Sequence, residues 1–384
     1  MKTIPFEHIV AFIKSQFKAQ DLIPLHAPTF NGNEKEYLID AIDSTFVSSV
    51  GQYVTRFEEM ICHETQAKYA VAMVNGTNAL HIGLILSGVR RGDEVLSQSL
   101  TFIATCNAIS YIGASPVFID VDLDSMGMSP YALSEYLEKN ATMGLDGFAY
   151  NKNSGKRIKA CVPMHTFGFP CRIDHIAVIC KKWNIFLIED AAESLGSLYN
   201  SKHTGRFGDL GVFSLNGNKT ITSGGGGVLV TDDINIAKRA KHLTTQAKVT
   251  HPWAFIHDEV AYNYRMPNLN AALACAQLEQ LQSFVANKRQ LAVLYQSFFA
   301  NSNIKFVTEP EHSSSNYWLN CIILPDKFIR EEFLEYANKH GVMCRPVWEL
   351  MHRLPMFKEA ERDNQQNSEW LADRIVNIPS SVRL

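Results

Sequence analysis

From about residue 68 to residue 231 the chain alternates short apolar runs with helix-like segments, and this alternation narrows the fold more than any other feature. Residues 70–74 lead into Asn75-Gly76-Thr77 and a helix through Leu86. Residues 94–96 lead into a helix over 102–112, stopped by Gly113. The runs 116–121, 160–164, 186–189, 211–214 and 227–230 read as further strands. Strands that take turns with helices form a mostly parallel sheet covered on both faces. Such sheets hold ligands at the carboxyl ends of their strands. Polar residues stand at those ends here: Asn75-Gly76-Thr77 after one strand, Asp190 after another, and Lys219 after the polar turn that follows Ser214.

The 384 residues suffice for one large domain and a smaller companion. A formal net charge of -3 points to neither a nucleic-acid surface nor an acidic tail. The eight cysteines form no C-x-x-C pair and lie mostly in apolar stretches, which predicts buried free thiols rather than zinc ligation. Charge at Lys2 and Glu7 comes too early for a secretory signal. No apolar run approaches the ~18 residues a membrane span needs. A cytoplasmic protein with no membrane or nucleic-acid partner is expected.

Residues 1–20 read as an amphipathic helix with Ile9, Val10, Phe12, Ile13 and Phe17 on one face. A long helical stretch is predicted over 269–300, then a strand over 318–324, a helix over 329–340 and a strand over 342–347. Ser313-Ser314-Ser315 reads as a short loop. The expected fold class is α/β, with a large, mostly parallel α/β/α domain over 21–265 and a linking helix plus a small α+β domain over 266–384.

A lysine beyond one strand and an aspartate ending another fit a pyridoxal phosphate site. The amine would bond the cofactor aldehyde, and the carboxylate would hold the protonated pyridine nitrogen so that the ring stays an electron sink. Asn75-Gly76-Thr77 opens a helix, where free N–H groups and the dipole attract phosphate. Those three residues equally suit a plain helix start with a cap. Ser214 has the position to donate to the same phosphate, or to serve the strand end alone. Phe102 has the position to stack on a pyridine ring, or to join the core. His165 either touches the cofactor or fixes its turn. His165, His175, His203, His242, His251 and His257 show no metal-ligand spacing, so no metal is expected. A G-x-S-x-G elbow, a Walker loop and a G-x-G-x-x-G after a strand are all missing.

Five ordered motifs carry a family resemblance that runs from Ile23 to Ser381: Asn75-Gly76-Thr77-Asn78-Ala79-Leu80, Thr101-Phe102-Ile103-Ala104-Thr105, Ile188-Glu189-Asp190-Ala191-Ala192-Glu193, Ser214-Leu215-Asn216-Gly217-Asn218-Lys219 and Tyr262-Asn263-Tyr264-Arg265-Met266. The chain resembles the DegT-like nucleotide-sugar aminotransferases, pyridoxal phosphate enzymes of fold type I. The resemblance implies that Lys219 forms the Schiff base and Asp190 holds the pyridine nitrogen. It implies that Phe102 stacks on the ring and that Gly76, Thr77 and Ser214 bind the phosphate. Asn263 would reach the cofactor phosphate of a neighbouring subunit, so that a homodimer shares its sites. Tyr264, Arg265, Tyr317, Trp318 and His165 would lie near the substrate.

Glu193 stands where such enzymes commonly carry glutamine or histidine, beside the cofactor's phenolic oxygen. Burial and that oxygen should push its carboxyl pKa up, and a protonated Lys219 should push it down. The segments 39–51 and 345–352 look like the legionaminic acid and bacillosamine-type enzymes, which implies transfer from L-glutamate to the 4-keto group of a UDP-linked, N-acetylated 6-deoxy-hexose. The alternatives are a C3-keto or a dTDP- or GDP-linked substrate, or a silent pyridoxal phosphate-binding regulator. A sugar dehydratase on the same scaffold would carry histidine in place of Lys219.

Overall fold

A computed structural model describes residues 4–17 and 21–383. Seven strands form the spine of a nine-stranded main sheet: β1 (Tyr69–Met73), β2 (Glu94–Gln98), β3 (Ser115–Ile119), β4 (Arg157–Val162), β5 (Phe186–Asp190), β6 (Leu210–Ser214) and β7 (Gly227–Thr231), with the short strands Ala141–Met143 and Ala149–Asn151 added antiparallel beside β4. Their order is β1-β7-β6-β5-β4-β2-β3. The pairs β6–β5, β5–β4, β4–β2 and β2–β3 are parallel, whereas β7 runs antiparallel to both β1 and β6. The strands are buried nearly throughout, as a sheet covered on both faces requires. Because β7 is reversed, its first residue lies beside the last residues of its neighbours: Gly227 pairs with Met73 and with Ser214.

A second sheet serves the C-terminal part: β8 (Lys305–Phe306), β9 (Asn320–Ile323), β10 (Arg345–Pro346) and β11 (Ile375–Ile378), antiparallel in the order β8-β9-β11-β10. The helix Lys327–Lys339 covers it, and the N-terminal helix Phe6–Gln16 joins the same core. Ile9, Val10 and Ile13 are buried there, Phe6 meets Phe333 edge-on at 5.4 Å, and Phe12 stacks on Phe298 at 4.1 Å. The face expected of the N-terminal helix is therefore the face it buries. Residues 1–3 and 18–20 of that expected helix lie outside the described residues.

Three local expectations need correction. The stretch 269–300 is two helices, Asn268–Leu278 and Leu281–Phe299, broken at Glu279-Gln280. Its first half packs among large-domain residues such as Phe57 and Ile61, while Leu291, Tyr295 and Phe299 enter the small-domain core. The break lets one helical stretch serve two cores. Glu279 is held at that point by Arg56, at 2.7 Å. Only Arg345–Pro346 of 342–347 pairs in the small sheet, because Val342 bridges Ile23 instead. Ser313–Ser314, expected as loop, pairs with Leu198–Tyr199. All eight cysteines are unpaired, seven of them buried and Cys62 partly so. No described helix is long and apolar enough to cross a membrane.

Candidate active site

The strand ends of β1, β5 and β6 open into one cavity of about 360 Å³. Gly76, Thr77, Phe102, Asp190, Glu193, Ser214, Lys219 and Trp318 line it, together with Thr105 and Trp348. Eight residues singled out in the sequence thus meet at one place, drawn from segments up to 242 positions apart in the numbering of Gly76 and Trp318.

One wall is the start of the helix Gly76–Leu86. Asn75 caps it by accepting from the Asn78 N–H at 2.8 Å. The N–H groups of Gly76 and Thr77 find no acceptor among the described residues. A Cβ at Gly76 would stand 3.0 Å from the Ser214 Cβ, so a side chain there would close the gap between helix end and serine. Beneath, a Cβ at Gly227 would lie 2.4 Å from the Asn75 carbonyl carbon, so β7 passes under the turn as bare backbone. An open helix end, a hydroxyl and a glycine cradle suit an anion.

Asp190 ends β5 and is fully buried. Thr105 Oγ1 donates to its Oδ2 at 2.6 Å, and the Ala192 N–H donates to Oδ1 at 3.2 Å. Burial holds its carboxyl above the usual carboxylate range, opposed by the Thr105 and Ala192 hydrogen bonds and by Lys219. A cation placed against this carboxylate would offset the cost of burying its charge. Phe102, in the cap position of the next helix, is 47% exposed, a ring kept out of the core.

Lys219 Nζ donates to Glu193 Oε1 at 3.0 Å and sits over the Trp318 ring, 3.9 Å from its centre. The indole N–H of Trp318 in turn donates to the Asn218 carbonyl at 2.6 Å. Glu193 is buried, and its Oε2 accepts from the Phe167 N–H at 2.9 Å. Burial pushes the Glu193 carboxyl up to about 7, with Lys219 the first of the opposing influences.

Other expected site residues stand elsewhere. His165 lies behind the cavity, where Met164 takes the lining position. Its Nδ1 accepts from the Cys171 N–H at 3.2 Å, and its Nε2 faces Glu189 Oε2 at 3.0 Å. Glu189 also takes the N–H groups of Gly205 and Gly208, each at 2.7 Å, which ties His165 to that turn. Arg265 is buried against Glu58 at 2.6 Å, away from the cavity. Tyr264 stacks on Tyr262 at 4.9 Å, and Tyr317 meets Phe169 edge-on at 5.4 Å; neither lines the cavity. Asn263 is exposed, in a bridge to Thr245. Thr105 and Trp348 were not singled out from the sequence. The signal for Thr105 was its place in the motif of Phe102; Trp348 had only its place in a segment of family likeness.

A family model described as the DegT/DnrJ/EryC1/StrS aminotransferase family matches residues 28–384. The chain belongs to that family. It is a pyridoxal phosphate-dependent sugar aminotransferase. GDP-perosamine synthase of Escherichia coli O157:H7 is 36% identical over 358 residues, 93% of each chain. GDP-perosamine synthase of Vibrio cholerae is 35% identical over 362 residues, 94% of each chain. In fold, the chain superposes on the aminotransferase TlmJ from Streptoalloteichus hindustanus with a TM-score of 0.84 at 24% identity, covering 94% of this chain and 93% of that one. The fold type I architecture expected from the sequence is the one observed. The residues present fit the cofactor: the glycine cradle and open helix end suit its phosphate, and the buried carboxylate suits its ring nitrogen.

Proposed function

We propose that the protein transfers the amino group of L-glutamate to the 4-keto carbon of a 6-deoxy-hexose carried on a nucleoside diphosphate. The relatives named as GDP-perosamine synthases favour a GDP-linked sugar over the UDP-linked one expected from the sequence. The observation that carries the proposal is the meeting of Lys219, Asp190 and the open helix end in one cavity.

Bound there, the cofactor supplies an electron sink that makes the bond to the α-hydrogen of the amino acid labile. Around it the side chains have separable tasks. Gly76, Thr77 and Ser214 hold the phosphate. Asp190, oriented by Thr105, holds a proton on the ring nitrogen. Phe102 covers one ring face. Lys219 would anchor the cofactor, and its amine would move the proton as general acid and base. Its partner Glu193, when protonated, would donate to the phenolic oxygen. Trp318 fixes the lysine's path by carrying the amine on its ring and gripping the Asn218 carbonyl.

The second part of the proposal is a homodimer in which Asn263 serves the neighbour's phosphate. Two facts support it. Asn263 is exposed and stands apart from its own chain's cavity. The adjoining segment leaves Trp253, Phe255 and Val260 at 82%, 82% and 91% exposure, an apolar surface that suits contact with a second copy. Mixing inactive Lys219→Ala and Asn263→Ala chains should restore activity through hybrid dimers; exchange without rescue would count against a shared site.

The substrate is tested by incubating the holoenzyme and glutamate with GDP-, UDP- and dTDP-linked 4-keto-6-deoxy-hexoses, with products read by mass and NMR. A 4-amino product from the GDP-linked sugar is expected. Turnover confined to the UDP-linked sugar would return the assignment to the legionaminic and bacillosamine type. A 3-amino product would overturn the C4 assignment.

A further inference from the structure

Three aromatic side chains line the cavity: Phe102, Trp318 and Trp348. Two are committed. Phe102 covers the cofactor ring in the function proposed above, and the face of Trp318 carries Lys219 Nζ. Trp348 has no such task. It arrives on the segment that follows β10, beside the small sheet, and stands across the mouth from Phe102, ring centres 6.0 Å apart and planes at 59°.

Trp348 is also firmly backed. It packs on Phe167 with ring centres 5.0 Å apart. Phe167 is fully buried, has a φ of +56° and is pinned by its N–H bond to Glu193. That left-handed backbone is uncommon for a bulky side chain, and the bond to Glu193 holds it there. The indole therefore has a fixed rear and a side that lines the cavity.

We propose that Trp348 is the platform for the sugar ring, taking the apolar C–H face of the 6-deoxy-hexose and turning its keto carbon inward, to the nitrogen the cofactor would carry, with Lys219 beside it as proton carrier. The proposal rests on the keto-sugar reading above. Chemistry favours this occupant over the others. Aromatic faces are electron-rich and pack well on C–H edges. Glutamate brings two carboxylates, which an indole face does not bind. The nucleoside is too large to share the space: small-ligand sites span ~300–1,000 Å³, and this cavity holds about 360 Å³ for cofactor and sugar together. The nucleotide would then extend out of the cavity, leaving the sugar inside among its lining residues, Trp348 included.

The test separates the two half-reactions in holoenzyme carrying Trp348→Phe, Trp348→Leu or Trp348→Ala. Leucine keeps Phe167 covered but offers no ring face, so it controls for collapse of the alanine variant. With glutamate, cofactor absorbance should change at rates within about threefold of wild type in all three. With the cofactor in its amino form and a GDP-linked 4-keto-6-deoxy-hexose, kcat/KM should fall about 10- to 100-fold in the leucine and alanine variants and within about fivefold in phenylalanine. Inhibition by GDP alone should change by less than about twofold. Equal losses in both half-reactions would mean a structural role and overturn the proposal. Weakened GDP inhibition matching the loss toward the sugar would make Trp348 a base platform and overturn it too. If wild type accepts nitrogen from glutamate but delivers it to no nucleotide sugar, the substrate reading itself fails and takes the platform with it. That outcome is distinct, because it needs no variant.

Discussion

Two lysines, one partly and one wholly buried, meet the same tryptophan and do opposite things. Lys219 rests on the ring of Trp318, with a carboxylate at 3.0 Å. Lys288, from the helix Leu281–Phe299, is wholly buried and donates to the Trp318 carbonyl at 3.2 Å and to the Ser380 carbonyl. Burial alone pulls the Lys288 ammonium down to about 7. Carbonyls fix an amine in place without supplying a counter-charge, so Lys288 joins the helix to the C-terminal segment. A carboxylate that itself titrates near neutrality, together with a π-face, holds Lys219 while leaving it free to exchange partners. What surrounds the amine, together with its depth, separates a tie from a reactive group.

The sharpest way to break the comparison is to remove each amine. Lys219→Ala should lower turnover by at least about 10⁴-fold while the protein still binds cofactor non-covalently. Borohydride reduction and peptide mapping of wild type should label Lys219, and label on Lys288 would invert the two roles. Next in size, Asp190→Asn should cost about 10²- to 10⁴-fold in turnover but far less in cofactor affinity, because an amide cannot hold the ring nitrogen's proton. Unchanged turnover and absorbance would remove Asp190 from the ring.

Lys288→Met should act on stability and leave the glutamate half-reaction within about threefold. Its sign depends on pH. The folded-state pKa of Lys288 lies below the unfolded value, so between about 7 and the ordinary lysine pKa the unfolded chain binds more protons. Wild-type stability should therefore rise relative to Lys288→Met as pH increases through that window. A flat difference in urea melts from pH 6 to pH 10 would show Lys288 charged in the fold.

The smallest effect belongs to Glu193→Gln, with turnover within about threefold at neutral pH, since a protonated acid and an amide donate alike. The carboxyl's folded pKa of about 7 lies above the ordinary value, so the folded state binds more protons between the two. Cofactor-free wild type should lose stability relative to Glu193→Gln as pH rises through that range, the reverse of the Lys288 slope. A large loss of turnover in Glu193→Gln would show that the carboxylate itself is required.

What the sequence reveals follows the reach of its signals. Strand-helix alternation places Asn75, Asp190 and Lys219 at strand ends, and strand ends of one parallel sheet meet by geometry alone. Which way a side chain then turns depends on partners far along the chain. Arg265, expected near the substrate by resemblance, turns to Glu58, 207 positions away. His165 and Met164 are neighbours just beyond β4, and the bridge of Met164 to Asp190 with the ties of His165 to Glu189 and Cys171 decides which one faces the cavity. The break at Glu279-Gln280 is similarly invisible locally, because residues 269–300 hold no proline or glycine and the cause is a pair of separate cores. Trp348 has no local motif, and its place is set by the docking of the small sheet.

The reversed strand β7 bears on how the enzyme is made. Gly227 completes the floor under Asn75, and β7 fills the gap between β1 and β6, pairing Tyr69 with Thr231. The phosphate turn is thus synthesised long before the backbone that supports it. On the ribosome the emerging N-terminal half can form β2 and β3 side by side, yet it cannot form a pocket. Such long-range pairing is slow compared with local structure. Capture of the cofactor would then time-stamp closure of the sheet, and a nascent chain halted before residue 227 should emerge unable to retain it.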